Sequence, residues 1–330
     1  MRTILLIFCL CLGTSLSAQK QLWGVSASSD VASGTIFRTD SVGNNYTDVY
    51  VFNDKANGLD PYGSLIQAVN GKLYGLTKNG GTYNYGTLFQ FQPDALVYTK
   101  LHDFDSINGR NPYGSLVEAA NGKLYGMTHS GGQYDRGVIF EFNPSTNAFT
   151  NRFVFNGTKG RYPYGSLTEA TDGKLYGLAS TGGVDGTGSL FQFDPVSGTV
   201  TVRHSFVITT QGKGYDPRGS LLFTQDGYAY GFTRYGKPGF GLGQGGGVLF
   251  KYDLTLNWNS VTPLHNFDET FPGSIDGYEV ISSVIEANNS KLYGMTLKGG
   301  TDSAGTIFEY DLSTQQFTKL HDFNRNSEGY

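Results

Sequence analysis

Histidine is the first side chain in this sequence to weigh as chemistry, because four of its five copies recur in register. His102, His204, His265 and His321 each stand two residues ahead of a phenylalanine. Imidazole ligates metals and carries protons near neutral pH. Each of these four falls in a different copy of a long repeat, so they cannot converge on one ion. Tyr50 and Phe153 hold the same place in two further copies. A ring packed on a strand serves every copy, and the histidines are read as packing residues. Asp103-Phe104-Asp105 followed by Asn108-Gly109 has some of the look of a calcium loop. Such a loop needs oxygen ligands at positions 1, 3 and 5 and glycine at 6. Here position 5 is Ile107 and the glycine comes one residue late, so a solvated turn is expected.

Other chemistries lack their residues. Glycine runs such as Gly245-Gly246-Gly247 do not join a strand to a helix, as a phosphate cradle requires. There is no Gly-x-Ser-x-Gly elbow and no zinc-binding helix motif. Both cysteines, Cys9 and Cys11, lie in the N-terminal apolar segment. The rest of the chain can form no disulfide and no thiolate metal site, so packing must stabilise it. No cofactor is expected.

The elements that would position any site begin after a leader. Met1-Arg2-Thr3, the apolar run Ile4 to Leu12 and the small, polar Gly13 to Ala18 follow the plan of a secretory signal peptide. Residues 1–18 are expected to be removed and 19–330 to form the domain, with no direct membrane insertion. The net charge of -4, without like-charge blocks, gives no reason to expect nucleic acid or an anionic membrane as partner. Forty-seven glycines beside 22 tyrosines and 23 phenylalanines point to aromatic strands joined by glycine turns.

An internal repeat organises those strands. Leu-Tyr-Gly stands at Leu73-Tyr74-Gly75, Leu124-Tyr125-Gly126, Leu175-Tyr176-Gly177 and Leu292-Tyr293-Gly294, with variants Leu22-Trp23-Gly24 and Ala229-Tyr230-Gly231. The step is 51 residues three times, then 54, then 63. Each copy holds four strand-like runs, denoted a to d; in the third they start at Gly114, Lys123, Gly137 and Phe149. The a–b junctions Asn70-Gly71, Asn121-Gly122, Asp172-Gly173 and Asp226-Gly227 predict two-residue type I′ hairpins, which need positive φ at both centres. Repeated four-stranded meanders must stack to bury both faces, and the expected fold is an all-β propeller of about six four-stranded blades. Six b, c and d strands face only five a strands, which begin at Gly63, Gly114, Gly165, Gly219 and Ser282. The ring is therefore expected to lack one inner strand, and the natural chain to continue past Tyr330. Phe89, Phe140, Phe191, Phe250 and Phe308 share one place in strand c and are expected between neighbouring sheets.

The Leu-Tyr-Gly strand is followed by Gly80-Gly81, Gly131-Gly132, Gly182-Gly183 or Gly299-Gly300, then by an aromatic strand. This plan looks like the Kelch repeat. It resembles more closely the GloVer tandem repeats of bacterial secreted proteins, whose Gly-Thr-x-Phe element stands here as Gly34-Thr35-Ile36-Phe37, Gly86-Thr87-Leu88-Phe89 and Gly305-Thr306-Ile307-Phe308. The resemblance implies a secreted or cell-surface propeller-like module and supplies no catalytic residues. Oxidases of Kelch-like fold use copper with a cysteine-modified tyrosine, and no cysteine is present after the expected leader.

Departures from the repeat mark where function is expected. The d–a loop before Gly219 is three residues longer than the regular copies, the b–c loop from Arg234 to Gly246 gains five, and the d–a loop from Glu269 to Val280 gains five. All three should emerge on one face, opposite the invariant a–b turns. They carry Tyr215, Arg218, Arg234, Tyr235, Lys237, Phe240, Phe271, Asp276 and Tyr278. Variable loops on a fixed scaffold concentrate binding residues, and aromatic and arginine side chains dominate hot spots. The expected function is non-enzymatic binding of a protein or glycan. A carbohydrate-active hydrolase or lyase, or a passive spacer, are the alternatives. Glycoside hydrolysis needs two carboxylates about 5–9.5 Å apart, and the carboxylates weighed for it near the expanded loops are Asp268, Glu269 and Asp276.

Overall fold

The computed structural model describes residues 21–27, 34–208, 213–236, 246–256, 260–267 and 276–324. Among the described residues it is an all-β propeller of six antiparallel sheets, with one 3-10 turn at Lys55–Asn57. The expected leader, residues 1–18, lies outside the described residues.

The chain divides into two compact units. Residues 1–154 hold three sheets. The first has β1 (Gln21–Ser26), β2 (Thr35–Asp40) and β3 (Thr47–Val51). The second has β4 (Leu59–Pro61), β5 (Ile66–Gln67), β6 (Leu73–Asn79), β7 (Thr87–Gln92) and β8 (Val97–Asp103), with β4 and β5 together in the place of strand a. The third has β9 (Val117–Glu118), β10 (Leu124–Thr128), β11 (Val138–Asn143) and β12 (Ala148–Val154). Residues 155–330 hold the other three. The fourth sheet has β13 (Thr168–Glu169), β14 (Leu175–Ala179), β15 (Ser189–Phe193) and β16 (Val200–Ser205). The fifth has β17 (Tyr215–Phe223), β18 (Tyr228–Tyr235), β19 (Val248–Asp253) and β20 (Val261–Asn266). The sixth has β21 (Ile285–Glu286), β22 (Lys291–Met295), β23 (Thr306–Asp311) and β24 (Gln316–Asp322).

The a–b turns differ from the expected type I′. Gly71 has φ +80°, but Asn70 does not have positive φ, and neither do Asn121, Asp172 or Asp226. The Gly71 amide donates to Ala68 O, and the Ala68 amide to Lys72 O. That is a type I turn closed by a left-handed glycine, with three loop residues rather than two. The Asx side chain does the remaining work. Asn70 Oδ1 accepts from the Lys72 amide while its Nδ2 donates to the Tyr74 hydroxyl, 2.9 Å away. The same clasp holds Tyr125 to Asn121, Tyr176 to Asp172, Tyr230 to Asp226 and Tyr293 to Asn289. The buried phenol of Leu-Tyr-Gly thus has a partner one hairpin turn away, as a desolvated hydroxyl requires.

The strand c phenylalanines are buried between sheets. In the first unit Phe89 packs with Trp23, Val25 and Phe52 of the first sheet, and Phe140 with Tyr74, Leu88 and Phe104 of the second. In the second unit Phe250 packs with Tyr176 and Leu190, and Phe308 with Phe232 and Leu249. A Cβ added to the Leu-Tyr-Gly glycine would come 2.4–2.8 Å from the paired phenylalanine Cζ in every sheet. The glycine makes room for the ring.

All six c–d pairings slip by one residue at that phenylalanine, for example between Ile139 and Phe140. The histidine position follows the extra residue. It lies flat on strand d of the next sheet: His102 on Phe149 at 3.8 Å, His265 on Phe317 at 3.8 Å, and Tyr50 on Tyr98 at 4.1 Å. Burial holds the His102 and His265 imidazoles below their ordinary pKa, against the pull of Asp105 and Asp276 respectively. A histidine with a depressed folded pKa binds more protons when unfolded, so its stabilisation is complete above the unfolded value of about 6.5 and lost as pH falls below it. Urea titrations are therefore expected to show falling stability from pH 7 to 5, and His102→Phe, the side chain the third sheet already uses, should flatten that slope. An unchanged slope in both His102→Phe and His265→Phe would contradict this account.

Candidate functional site

In the second to sixth sheets the d–a and b–c loops share one edge because they pair with each other. Leu59 pairs with Asn79, Arg110 with Ser130, Arg161 with Thr181, Tyr215 with Tyr235, and Tyr278 with Lys298. The next residue along the d–a segment is left-handed in all five sheets: Asp60, Asn111, Tyr162, Asp216 and Glu279, with φ of 53–59°. Asx residues tolerate this conformation, whereas tyrosine and glutamate do not favour it. A neighbouring b–c backbone amide secures it, as where His129 donates to Asn111 O and Leu297 to Glu279 O.

In the fifth and sixth sheets this repeated position carries a carboxylate that gathers cations. Arg218 grips Asp216 through Nε and Nη2, each at 3.1 Å. Arg234 Nη1 lies 3.9 Å from the same carboxylate. Arg234 also donates through Nε (3.1 Å) and Nη2 to Glu279 Oε1, and Lys298 reaches Glu279 Oε2 at 2.7 Å. Three cations and two carboxylates thus alternate in one chain of contacts. Burial raises the Asp216 pKa, outweighing the stabilising pull of Arg218 and Arg234. Glu279 moves the other way: burial raises it, but Lys298 and Arg234 together bring it below the usual range.

The two guanidinium planes cover tyrosine rings. Arg218 sits 4.3 Å from the Tyr164 ring centre and Arg234 sits 4.9 Å from that of Tyr235. Tyr235 in turn lies 5.2 Å from Tyr215. Of the residues singled out from sequence, Tyr215, Arg218, Arg234 and Tyr235 therefore meet. Tyr215 is buried at 8% exposure and supports the others from beneath. Tyr278 joins through its backbone pairing with Lys298. Asp276 instead faces His265, with Oδ2 3.5 Å from Nε2, too long and poorly aligned for a hydrogen bond. Lys237, Phe240 and Phe271 lie outside the described residues.

Sequence reasoning missed Asp216, Glu279, Lys298 and Tyr164. Loop length drew attention to arginine and aromatic side chains beside the insertions; these four, like Arg218, Arg234 and Tyr235 themselves, sit at regular repeat positions. Aligning the copies would have found the first two, since Asp60, Asn111, Tyr162, Asp216 and Glu279 fall in one column.

No helix among the described residues is long and apolar enough to cross a membrane. No curated protein matches the chain. Among solved structures, TolB from Acinetobacter baumannii superposes with a TM-score of 0.56 at 13% identity, over 94% of this chain and 64% of that one. The chain thus spans less than two thirds of that protein. A nidogen/laminin complex contains a chain with a TM-score of 0.52 at 11% identity, over 92% of this chain and 94% of that one. At such identities the likeness is one of fold. The profile of the Gloeobacter/Verrucomicrobia repeat matches residues 13–184 and again 163–330, the whole repeat-bearing length, and the chain belongs to that family.

Proposed function

We propose that this chain is a non-enzymatic extracellular or cell-surface module that holds a protein or glycan ligand on the loop edge of its fifth and sixth sheets. The observation that carries the reading is the ion-pair chain from Arg218 to Lys298, which fixes two guanidinium groups over Tyr164 and Tyr235 beside the longest loops. Side chains already locked in place lose little freedom on binding. Half-exposed tyrosine and arginine suit both the face of a sugar ring and an anchor on a protein. The nidogen neighbour was solved in complex with laminin, which supports the protein alternative. The signal-peptide plan read in residues 1–18 supports the extracellular setting.

Hydrolysis fits less well. Asp216 and Glu279 are each committed to cationic partners, so neither is poised as both a free acid and a facing nucleophile.

The test is a glycan array and a cell-surface pull-down with the intact protein, repeated with Tyr235→Ala and Phe240→Ala. Each truncation is expected to weaken binding by about 2 kcal/mol, roughly thirtyfold. A ligand bound equally by both variants would place the site elsewhere.

A further inference from the structure

Five of the six sheets share an inner-strand arrangement that β1 does not have. In the second sheet Ile66 and Gln67 pair with Tyr74 and Leu73 of Leu-Tyr-Gly. The third, fourth and sixth sheets repeat this register, and in the fifth β17 covers β18. Trp23 and Leu22 are the corresponding residues of β1, which among the described strands pairs only with β2. Leu22 is half-buried, whereas Leu73, Leu124, Leu175 and Leu292 are fully buried.

Three contacts define what such a strand must carry. First, in the second to fifth sheets a leucine covers the Leu-Tyr-Gly glycine. The nearest atoms to a Cβ on Gly75, Gly126, Gly177 or Gly231 include Cδ2 of Leu65, Leu116, Leu167 or Leu221 at 2.9–3.0 Å. In the sixth sheet, where the shorter Val284 stands in that place, the three nearest atoms to a Cβ on Gly294 all belong to Phe308, as those on Gly24 belong to Phe37. Second, the residue two before that leucine must be glycine where the next inner strand passes. A Cβ on Gly63 would meet Gly114 O at 2.4 Å, on Gly165 Gly219 O at 1.8 Å, and on Gly219 Ser282 O at 2.3 Å. Third, the intervening serine amide donates to the serine hydroxyl of the next sheet: Ser64 to Ser115 at 2.7 Å, Ser166 to Ser220 and Ser220 to Ser283 at 2.8 Å. Ser64 begins its series, and no described residue donates to its Oγ.

We infer that the inner edge of β1 is a strand-addition site for an extended segment of Gly-Ser-Leu pattern, running antiparallel to β1. Its leucine packs over Gly24 and Phe37, its glycine passes Gly63, and its serine amide donates to Ser64 Oγ. Main-chain pairing supplies affinity and the three side-chain positions supply selectivity, as in other edge-strand recognition. The occupant is a peptide strand chemically equivalent to this chain's own inner strands. The site lies in the first three sheets and does not depend on the proposed ligand face.

The probe is a fluorescent peptide Asn-Pro-Tyr-Gly-Ser-Leu-Val-Glu-Ala, the sequence at residues 111–119, titrated into the full chain. It is expected to bind and to slow amide exchange across residues 21–26. Peptides carrying Gly114→Val or Leu116→Asp should bind at least about tenfold more weakly, since one clashes with a carbonyl and the other buries an unpaired charge. Ser64→Ala in the protein should weaken the parent peptide by about three- to tenfold, the range for one lost hydrogen bond. No binding, equal binding of the three peptides, or protection confined to other strands would each overturn the assignment.

Discussion

Phe140→Ala is expected to lower the unfolding free energy by about 3–5 kcal/mol, the range for truncating a fully buried phenylalanine. Its ring has no exposure and lies between the second and third sheets. It meets Phe104 edge-on at 5.3 Å and stacks on Phe149 at 5.1 Å. The hole could close only if the c–d bulge at Ile139 and Phe140 moved, because Gly126 opposite has no side chain to follow the lost ring. The upper half of the range is therefore expected. A urea titration reads the effect as a lower midpoint. A loss below about 1 kcal/mol, typical of a surface substitution, would remove this residue from the core.

That position was legible because the repeat shows it six times. A phenylalanine stands 13 or 14 residues after the Leu-Tyr-Gly glycine in five copies, and 19 after it in the fifth copy, whose b–c loop is expanded. With a second ring two residues on in five of the six, it marks the strand face that fills the gap between sheets. Partner choice was less legible. Asn70 was recognisable as a turn residue, but its bond to the Tyr74 hydroxyl joins two positions whose spacing alone suggests nothing. The bulge before each strand-d histidine was hidden for a related reason. A one-residue slip leaves composition unchanged, although here it turns His102 flat against Phe149.

The candidate site divides along the same line. Expanded loops pointed to Arg218, Arg234 and Tyr235 as arginine and aromatic neighbours of the added length, although these three also sit at regular repeat positions. Asp216 and Glu279 were not singled out, since a left-handed residue keeps the repeat length and acts only through its direction. Their role is nonetheless decisive. Without Asp216 and Glu279 the guanidinium groups over Tyr164 and Tyr235 would have no fixed orientation.

The regular positions also make the second large prediction. Gly165→Ala is expected to cost about 3 kcal/mol, the top of the range for forcing extra volume into a packed site. Its new Cβ would lie 1.8 Å from Gly219 O, 2.2 Å from Gly219 C and 2.8 Å from the Ser220 amide nitrogen. All three are backbone atoms, so no rotamer change relieves the clash. Moving the strands apart would also lengthen the bond from the Ser166 amide to Ser220 Oγ. Gly71→Ala is the control, because the two glycines serve opposite purposes. Gly71 has φ +80° and nothing within 4 Å of its added Cβ, so alanine there meets only the dihedral preference, about 1 kcal/mol. Gly165 does not have positive φ, and alanine there meets only the neighbouring strand. If Gly165→Ala proves no costlier than Gly71→Ala in the same titration, the inner strands are not in close contact, and the Gly-Ser-Leu requirement inferred for the β1 edge loses its steric basis.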